Sequence, residues 1–327
     1  MRSHGIDVAV LLIFFCRPEQ FGQVFDQVRS ARPSRLYLYQ DGPRQNRPSD
    51  LSGIQACREI ASTVDWECEV HTFYQEVNQG CDPSEYIAQK WMFETEEMGI
   101  VLEDDDVPTQ SFFHFCKELL ERYKDDERVD RICGMNNIEV AEHIREDYLF
   151  AAQGSIWGWA SWRRVLDSWD PEYRWLDDAS TVRRLRDAFD SSREYQHFLE
   201  IARQHRRTGV PHYESVGGFA CRSQSRLLIV PRYNLITSVG ATEESTHSSS
   251  ETHLMPRRTR RLFGMRRYEL EWPLKHPNIM IRDRAFERAV TGTRLHVLLD
   301  RIERGALVVR HRGPRGLLRL LARRLSR

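Results

Sequence analysis

Nine apolar residues in succession, Val8 to Cys16 (VAVLLIFFC), limit what the start of this chain can become. The run is far short of the roughly 20 residues that a membrane-crossing helix needs. It also lacks the cleavage site and strongly basic lead-in of a secretory signal. So short and uniformly apolar a run fits a strand buried on both faces, as in a parallel sheet. The chain then alternates. Gln20 to Ser30 carries Phe21, Val24, Phe25 and Val28 at helical spacing, and Arg35 to Gln40 (RLYLYQ) reads as a strand stopped by Asp41-Gly42-Pro43. A helical stretch over Leu51 to Val64, a strand over Glu67 to Tyr74, a helix over Pro83 to Met98 and a strand over Gly99 to Leu102 follow. Such alternation predicts an α/β fold with a mostly parallel sheet flanked by helices. Phe112, Phe115, Cys116, Leu119, Leu120 and Tyr123 mark the inner face of a further helix, and Arg131 to Met135 a further strand. After Arg145 the pattern gives way to aromatic-rich loops, longer helices within Ser180 to Arg206, and a strand over Leu227 to Val230 closed by Pro231.

Charge divides the chain unevenly. Arg257 to Arg327 holds 20 Lys and Arg against 6 Asp and Glu, and the remainder holds 28 against 42, so a net charge of zero conceals a basic tail on an acidic body. Ala241 to Arg261 (ATEESTHSSSETHLMPRRTRR) is polar and rich in Ser and Thr, which reads as a linker. Gly316 to Arg327 (GLLRLLARRLSR) would set Leu317, Leu318, Leu321 and Leu325 on one helical side and Arg319, Arg323 and Arg327 on the other. Two readings stay open: a helix that touches anionic lipid on the inner face of a membrane, or a terminal helix docked on its own domain with a solvated basic face. A nucleic-acid partner is not expected, because the tail lacks interleaved stacking aromatics. Seven cysteines, odd in number and without C-x-x-C pairing, argue for reduced thiols, a cytoplasmic setting and no zinc site.

The densest charge is Glu103, Asp104, Asp105 and Asp106, set between Ile100-Val101-Leu102 and Pro108. Solvated charges capping the next helix would account for Asp106. They account poorly for Glu103, since a carboxylate joined to a buried strand loses hydration unless a cation or donors compensate. Hard oxygen ligands at a loop suit Mg²⁺ or Mn²⁺, which bind through one or two carboxylates together with substrate phosphates. The position fits too, because ligands of such sheets bind outside the carboxyl ends of the strands.

The stretch "IVLEDDDVPTQSFFHFCKELLERYKDD" resembles the Glu-Asp-Asp form of the DXD motif of GT-A glycosyltransferases, similar to the N-acetylglucosaminyltransferase I group and its bacterial relatives. "FFCRPEQF", "GSIWGWASWRRVLDSWD" and "IVPRYNLITSVG" with its following Thr-His pair match the same pattern in order, over roughly Val8 to His247. The resemblance implies a GT-A domain over residues 1–250, with a nucleotide-binding half about 1–135 and an acceptor-binding half about 136–250, then a basic C-terminal extension over 251–327. It implies a metal-dependent, inverting transfer of a sugar from a UDP-sugar to a glycan or lipid-linked acceptor. Asp105 would ligate Mn²⁺ or Mg²⁺, Asp104 would face the ribose and Glu103 the donor sugar. Arg17 and Asp41 would contact uracil and ribose, and Gly158 and Trp159 would border the donor sugar, while Trp162 and Trp169 are spaced as packing residues. His247 would close over the metal or diphosphate, with His253 the competing choice.

The base that takes the acceptor's proton is expected at Glu214, after Tyr213, where relatives carry an Asp. Gly217 departs from their aromatic residue, and Asp177 and Asp178 are the rival bases. Sugar-phosphate nucleotidyltransferases share the alternating sheet but need a Gly-rich basic loop after the first strand, where this chain offers "FFCRPEQFG". A catalytically silent sugar- or nucleotide-binding module with the same fold is the alternative from a different class.

Overall fold

The computed structural model describes residues 3–241, 252–292 and 294–325. From β1 (Ile6–Phe14) the chain runs through α1 (Pro18–Ala31), β2 (Pro33–Gln40), α2 (Ser49–Ala61), β3 (Glu69–Tyr74), α3 (Cys81–Thr95), β4 (Met98–Glu103), a short β5 (Asp106–Pro108), α4 (Gln110–Arg122) and β6 (Val129–Cys133). Then come β7 (Tyr148–Ala151), β8 (Trp159–Trp162), α5 (Arg163–Leu166), α6 (Ala179–Leu185), α7 (Ser192–Thr208), α8 (Tyr213–Ser223), β9 (Leu227–Pro231) and β10 (Ile236–Ser238). Short α9 (Arg257–Arg260), α10 (Arg284–Thr291) and α11 (Arg294–Leu325), which is broken by a kink at Gly313, complete the described chain. His247 lies outside the described residues, as do the side chains of the leucines and arginines singled out in Gly316 to Arg327.

Eight strands form one mixed sheet in the order β3-β2-β1-β4-β8-β6-β9-β7, and β5 pairs with β10 in a separate ribbon. β3, β2, β1 and β4 run parallel, as do β6 and β9, whereas β8 opposes both its neighbours and β7 opposes β9. The apolar run forms β1, buried everywhere except Asp7. Phe21, Val24, Phe25 and Val28 are fully buried on α1, and Phe112, Phe115, Cys116, Leu119 and Leu120 are buried on α4, as their spacing predicts. The sheet reverses its order at β1, since the chain lays β2 and β3 on one side and returns to place β4 on the other. The carboxyl ends of β1 and β4 therefore flank a topological switch point.

Two features depart from the sequence expectations. The aromatic stretch at 157–162, expected as a loop beside the donor sugar, supplies β8, whose Trp159, Ala160, Ser161 and Trp162 are all buried between β4 and β6. Four residues are too few for periodicity to speak, and pairing with the distant β4 decides the outcome. The helices expected within 180–206 are α6 and α7, separated by a tight turn at Arg186–Ala188, and Ser191 begins α7 by accepting from Glu194 N at 3.1 Å. Within the expected linker, Arg257–Arg260 forms the short helix α9. Residues beyond position 250 also pack into the body: Met265 and Leu274 join the main core, Phe286 joins a smaller cluster with Leu149 and Val230, and Tyr268 N donates to Asn234 O. Among the described residues no helix is long and apolar enough to cross a membrane, and all seven cysteines are free.

Gly158, which leads into β8, has a φ of +59°. A Cβ there would stand 2.7 Å from Ile236 and 3.1 Å from Leu102. Gly158→Ala is expected to cost about 2 kcal/mol or more through strain and overpacking, seen as a lower urea midpoint at unchanged slope.

Candidate functional site

β1 and β4 are neighbours in register, with Ile13 beside Glu103, so the segments that leave the two strands emerge side by side. Beyond β1 stands Arg17, and beyond β4 stand Asp104 and Asp105. Asp104 accepts from Arg17 Nε at 3.3 Å, from a second guanidinium nitrogen of the same residue, and from Phe15 N at 3.4 Å. Arg17 Nη1 also lies 3.4 Å from Asp105 Oδ2. Burial works against the charge on Arg17, but Asp104 and then Asp105 outweigh it and hold its pKa above the ordinary value.

Asp41, just past β2, closes the next side. Its Oδ1 accepts from Gly42 N and Gln79 N, both at 2.8 Å, and its Oδ2 accepts from Asn78 Nδ2 at 2.7 Å and Gly80 N at 3.1 Å. Four donors occupy both oxygens, so the carboxylate clasps the loop after β2 to the loop after β3. Burial still raises its pKa against those donors. The loops touch so closely that a Cβ on Gly42 would sit 2.5 Å from the backbone of Val77.

Between these groups lies a cavity of about 150 Å³ lined by Ile13 to Arg17, Asp41, Asn78, Gly80, Ser84, Glu85, Glu103 and Asp104, among others. Glu103, half-buried at the last position of β4, lines it. Burial, then Glu85 and the three following aspartates, push its pKa well up. Glu85 is 6% exposed, on the first turns of α3, and burial with the charge of Glu214 raises it to about 8. Asp105 is raised to about 6 by burial and Asp104, against the pull of Arg17. The backbone of Gly240 passes directly over the Asp105 carboxylate, where an added Cβ would collide with Oδ2.

Glu214 is exposed on the first turn of α8, while its neighbour Tyr213 is fully buried. The Tyr213 ring stacks between those of Trp159 and Trp169, at 6.4 and 6.3 Å, and this fixes the end of α8 and turns Glu214 towards Glu85 of α3. Gly217 faces Trp169 and Arg131 within 3.3 Å of where its Cβ would be, so indole already fills the space that an aromatic side chain at 217 would need.

The structure thus gathers Arg17, Asp41, Glu103, Asp104 and Asp105 at one mouth, with Glu214 beside it. Gly158 and Trp159 behave otherwise. Gly158 N donates to Asp106 Oδ2 at 2.7 Å, and Trp159 is 2% exposed with Arg131 over its ring, so its indole presents no face to a ligand. Trp157 is the half-buried indole of that stretch and packs on Phe263. Asp106 is not a helix cap: it belongs to β5, is buried, and holds the Gly158 backbone, while Thr109 precedes α4. Asp177 pairs with Arg206 at 2.8 Å, and Asp178 caps α6 through Ser180 N and Thr181 N, which commits both rival bases to the surface. His253 packs against His311.

Glu85, Ser84 and Asn78 escaped the sequence reading. Glu85 had a signal: it shares the inward stripe of α3 with Ala88, Gln89 and Met92, where a charged residue is out of place. Among the described residues no group of three or more His, Cys, Asp or Glu is arranged to hold a metal ion.

No family model matches the chain, and no curated protein matches it. Among solved structures the chain is similar to UDP-glucose pyrophosphorylase complexed with UDP-glucose, at 9% identity and a TM-score of 0.35, over 70% of this chain and 91% of that one. So slight a likeness says nothing of the chemistry here.

With a folded-state pKa of about 8, Glu85 binds its proton more tightly in the native state than in the unfolded chain. Its contribution to stability is full below the ordinary carboxylate range and is lost as pH rises through 8. Glu85→Gln should therefore raise the melting temperature most at pH 9 and least near pH 5, and thermal melts across that range check the slope.

Proposed function

We propose that the chain is a glycosyltransferase that takes a sugar from a nucleotide diphosphate donor, UDP-linked by resemblance, and transfers it with inversion to a glycan or lipid-linked acceptor. The observation that carries the reading is the acidic cavity at the switch point of a largely parallel sheet, where such folds receive nucleotides. The donor's nucleoside would enter between the segments after β1 and β2, past Arg17 and the Asp41 clasp. Its diphosphate would lie towards Asp105, and Glu103 and Asp104 would edge the sugar and ribose.

The donor set fits Mg²⁺ or Mn²⁺ through Asp105. These ions need only one or two protein carboxylates when phosphates supply the rest, and the cluster holds more negative charge than Arg17 alone balances. His247, outside the described residues, is the proposed second ligand. When bound, the ion would neutralise charge gathering on the departing diphosphate. The protein's own part is to hold the donor and to remove a proton. As the acceptor oxygen bonds to the anomeric carbon, the bond from that carbon to the phosphate oxygen breaks and the diphosphate leaves with the electron pair. Glu214 takes the proton of the attacking hydroxyl. Seven free cysteines accord with work in a reducing, cytoplasmic compartment. A lipid-linked acceptor would be met at a membrane surface, which the basic C-terminal extension would favour.

Calorimetric titration with UDP and Mn²⁺ tests the donor site directly. The native protein should bind UDP at least tenfold more tightly with Mn²⁺ than without, and Asp105→Ala should erase that difference; metal-independent affinity, equal in both proteins, would refute the site. Glu214→Gln should retain UDP binding yet lose at least a hundredfold in sugar-transfer rate, in line with the worth of a positioned base. A protein that binds UDP-sugar with no turnover for Glu214→Gln to diminish would instead be the silent binding module.

A further inference from the structure

Helix α11 is held by one side. Glu303 Oε1 accepts from Arg257 N at 3.0 Å, Val308 is buried, and the His311 ring lies 4.6 Å from that of His253. At 100° per residue these positions fall on one side of the helix. The opposite side is apolar and bare: Leu298, Ile302 and Val309 are 52%, 59% and 37% exposed and follow one line along the axis, with exposed Leu299 beside them. An ordinary surface helix turns its apolar stripe inward, whereas this one turns it away from the body. Arginines border it. Arg301 projects along one margin and Arg310 along the other, both exposed.

We propose that this face of α11 lies in the plane of an anionic lipid surface, with Leu298, Ile302 and Val309 at the acyl boundary and Arg301 and Arg310 on the lipid phosphates. Apolar stripe and flanking cations are the two elements an in-plane helix requires. No described helix crosses a bilayer, so the contact is peripheral. The charge distribution orients the molecule, because 20 basic against 6 acidic residues from Arg257 onward are attracted while 28 against 42 in the remainder are repelled. A second copy is the poorer occupant, since two such helices face to face would oppose arginine to arginine. Nucleic acid would leave the aliphatic stripe without a role, there being no aromatic ring in it to stack on bases.

The test is sedimentation of the full chain with phosphatidylcholine vesicles, neutral or carrying about one-third phosphatidylglycerol. Binding is expected only to the anionic vesicles and should weaken as salt rises. Ile302→Asp should lower it at least tenfold and Arg310→Gln about fivefold, with melting temperatures unchanged because both side chains are exposed. Three results would overturn the proposal: native protein left in the supernatant with anionic vesicles, vesicle binding indifferent to Ile302→Asp, or a dimer in sedimentation equilibrium that Ile302→Asp dissolves.

Discussion

The guanidinium of Arg17, paired at once with Asp104 and Asp105, joins the end of β1 to the end of β4. Without it, consecutive carboxylates would crowd a strand end that the sheet buries, and their mutual repulsion would add to the cost of lost hydration. One cation does not balance the set. Glu103 and Glu85 stay above their ordinary carboxylate range because burial and neighbouring negative charge act together on both. The mouth therefore keeps negative charge that Arg17 does not balance, which the proposed divalent ion would offset. Holding these carboxyl groups together in a buried turn costs stability.

The surrounding scaffold tolerates that cost because it is rigid where it meets the mouth. Asp41 ties two loops with four hydrogen bonds, and glycine permits the chain crossings there: Gly42 against Val77, and Gly53 where its helix abuts Cys16 O. On the other flank the stack Trp159-Tyr213-Trp169 fixes the first turn of α8. The aromatic residues thus sit behind the mouth, holding the backbone that carries the acid groups.

The first half of the fold was legible in the sequence because each strand and helix there is long enough to show its own period. β1, β2, β3, β4, α1 and α4 all lie within a few residues of their expected bounds. β7 and β8 were not legible, since four-residue strands are made by partners far along the chain and not by local pattern. The acidic turn was legible as a place, through Glu103 at a buried strand end, but the use of each side chain there was not. Asp106 turned inward to the Gly158 backbone, and Asp41 spent its lone pairs on neighbouring loops. Both facts depend on tertiary contacts, with Asp106 reaching Gly158 and Asp41 reaching Asn78, Gln79 and Gly80.

Glu85 and Glu214 show how position alone gives two neighbouring carboxyl groups different surroundings. Glu85 is enclosed on α3 and, with a pKa of about 8, carries a proton at neutral pH, so it can donate a hydrogen bond into the cavity. Glu214 stands in solvent at the first turn of α8, beside the helix N-terminus, where a negative charge is favoured. Under the proposed transfer, the enclosed acid would orient the bound sugar and the exposed one would receive the proton of the incoming hydroxyl. The proximity that raises Glu85 also makes the two interdependent, and a cation drawn to the cavity would lower the pKa of Glu85.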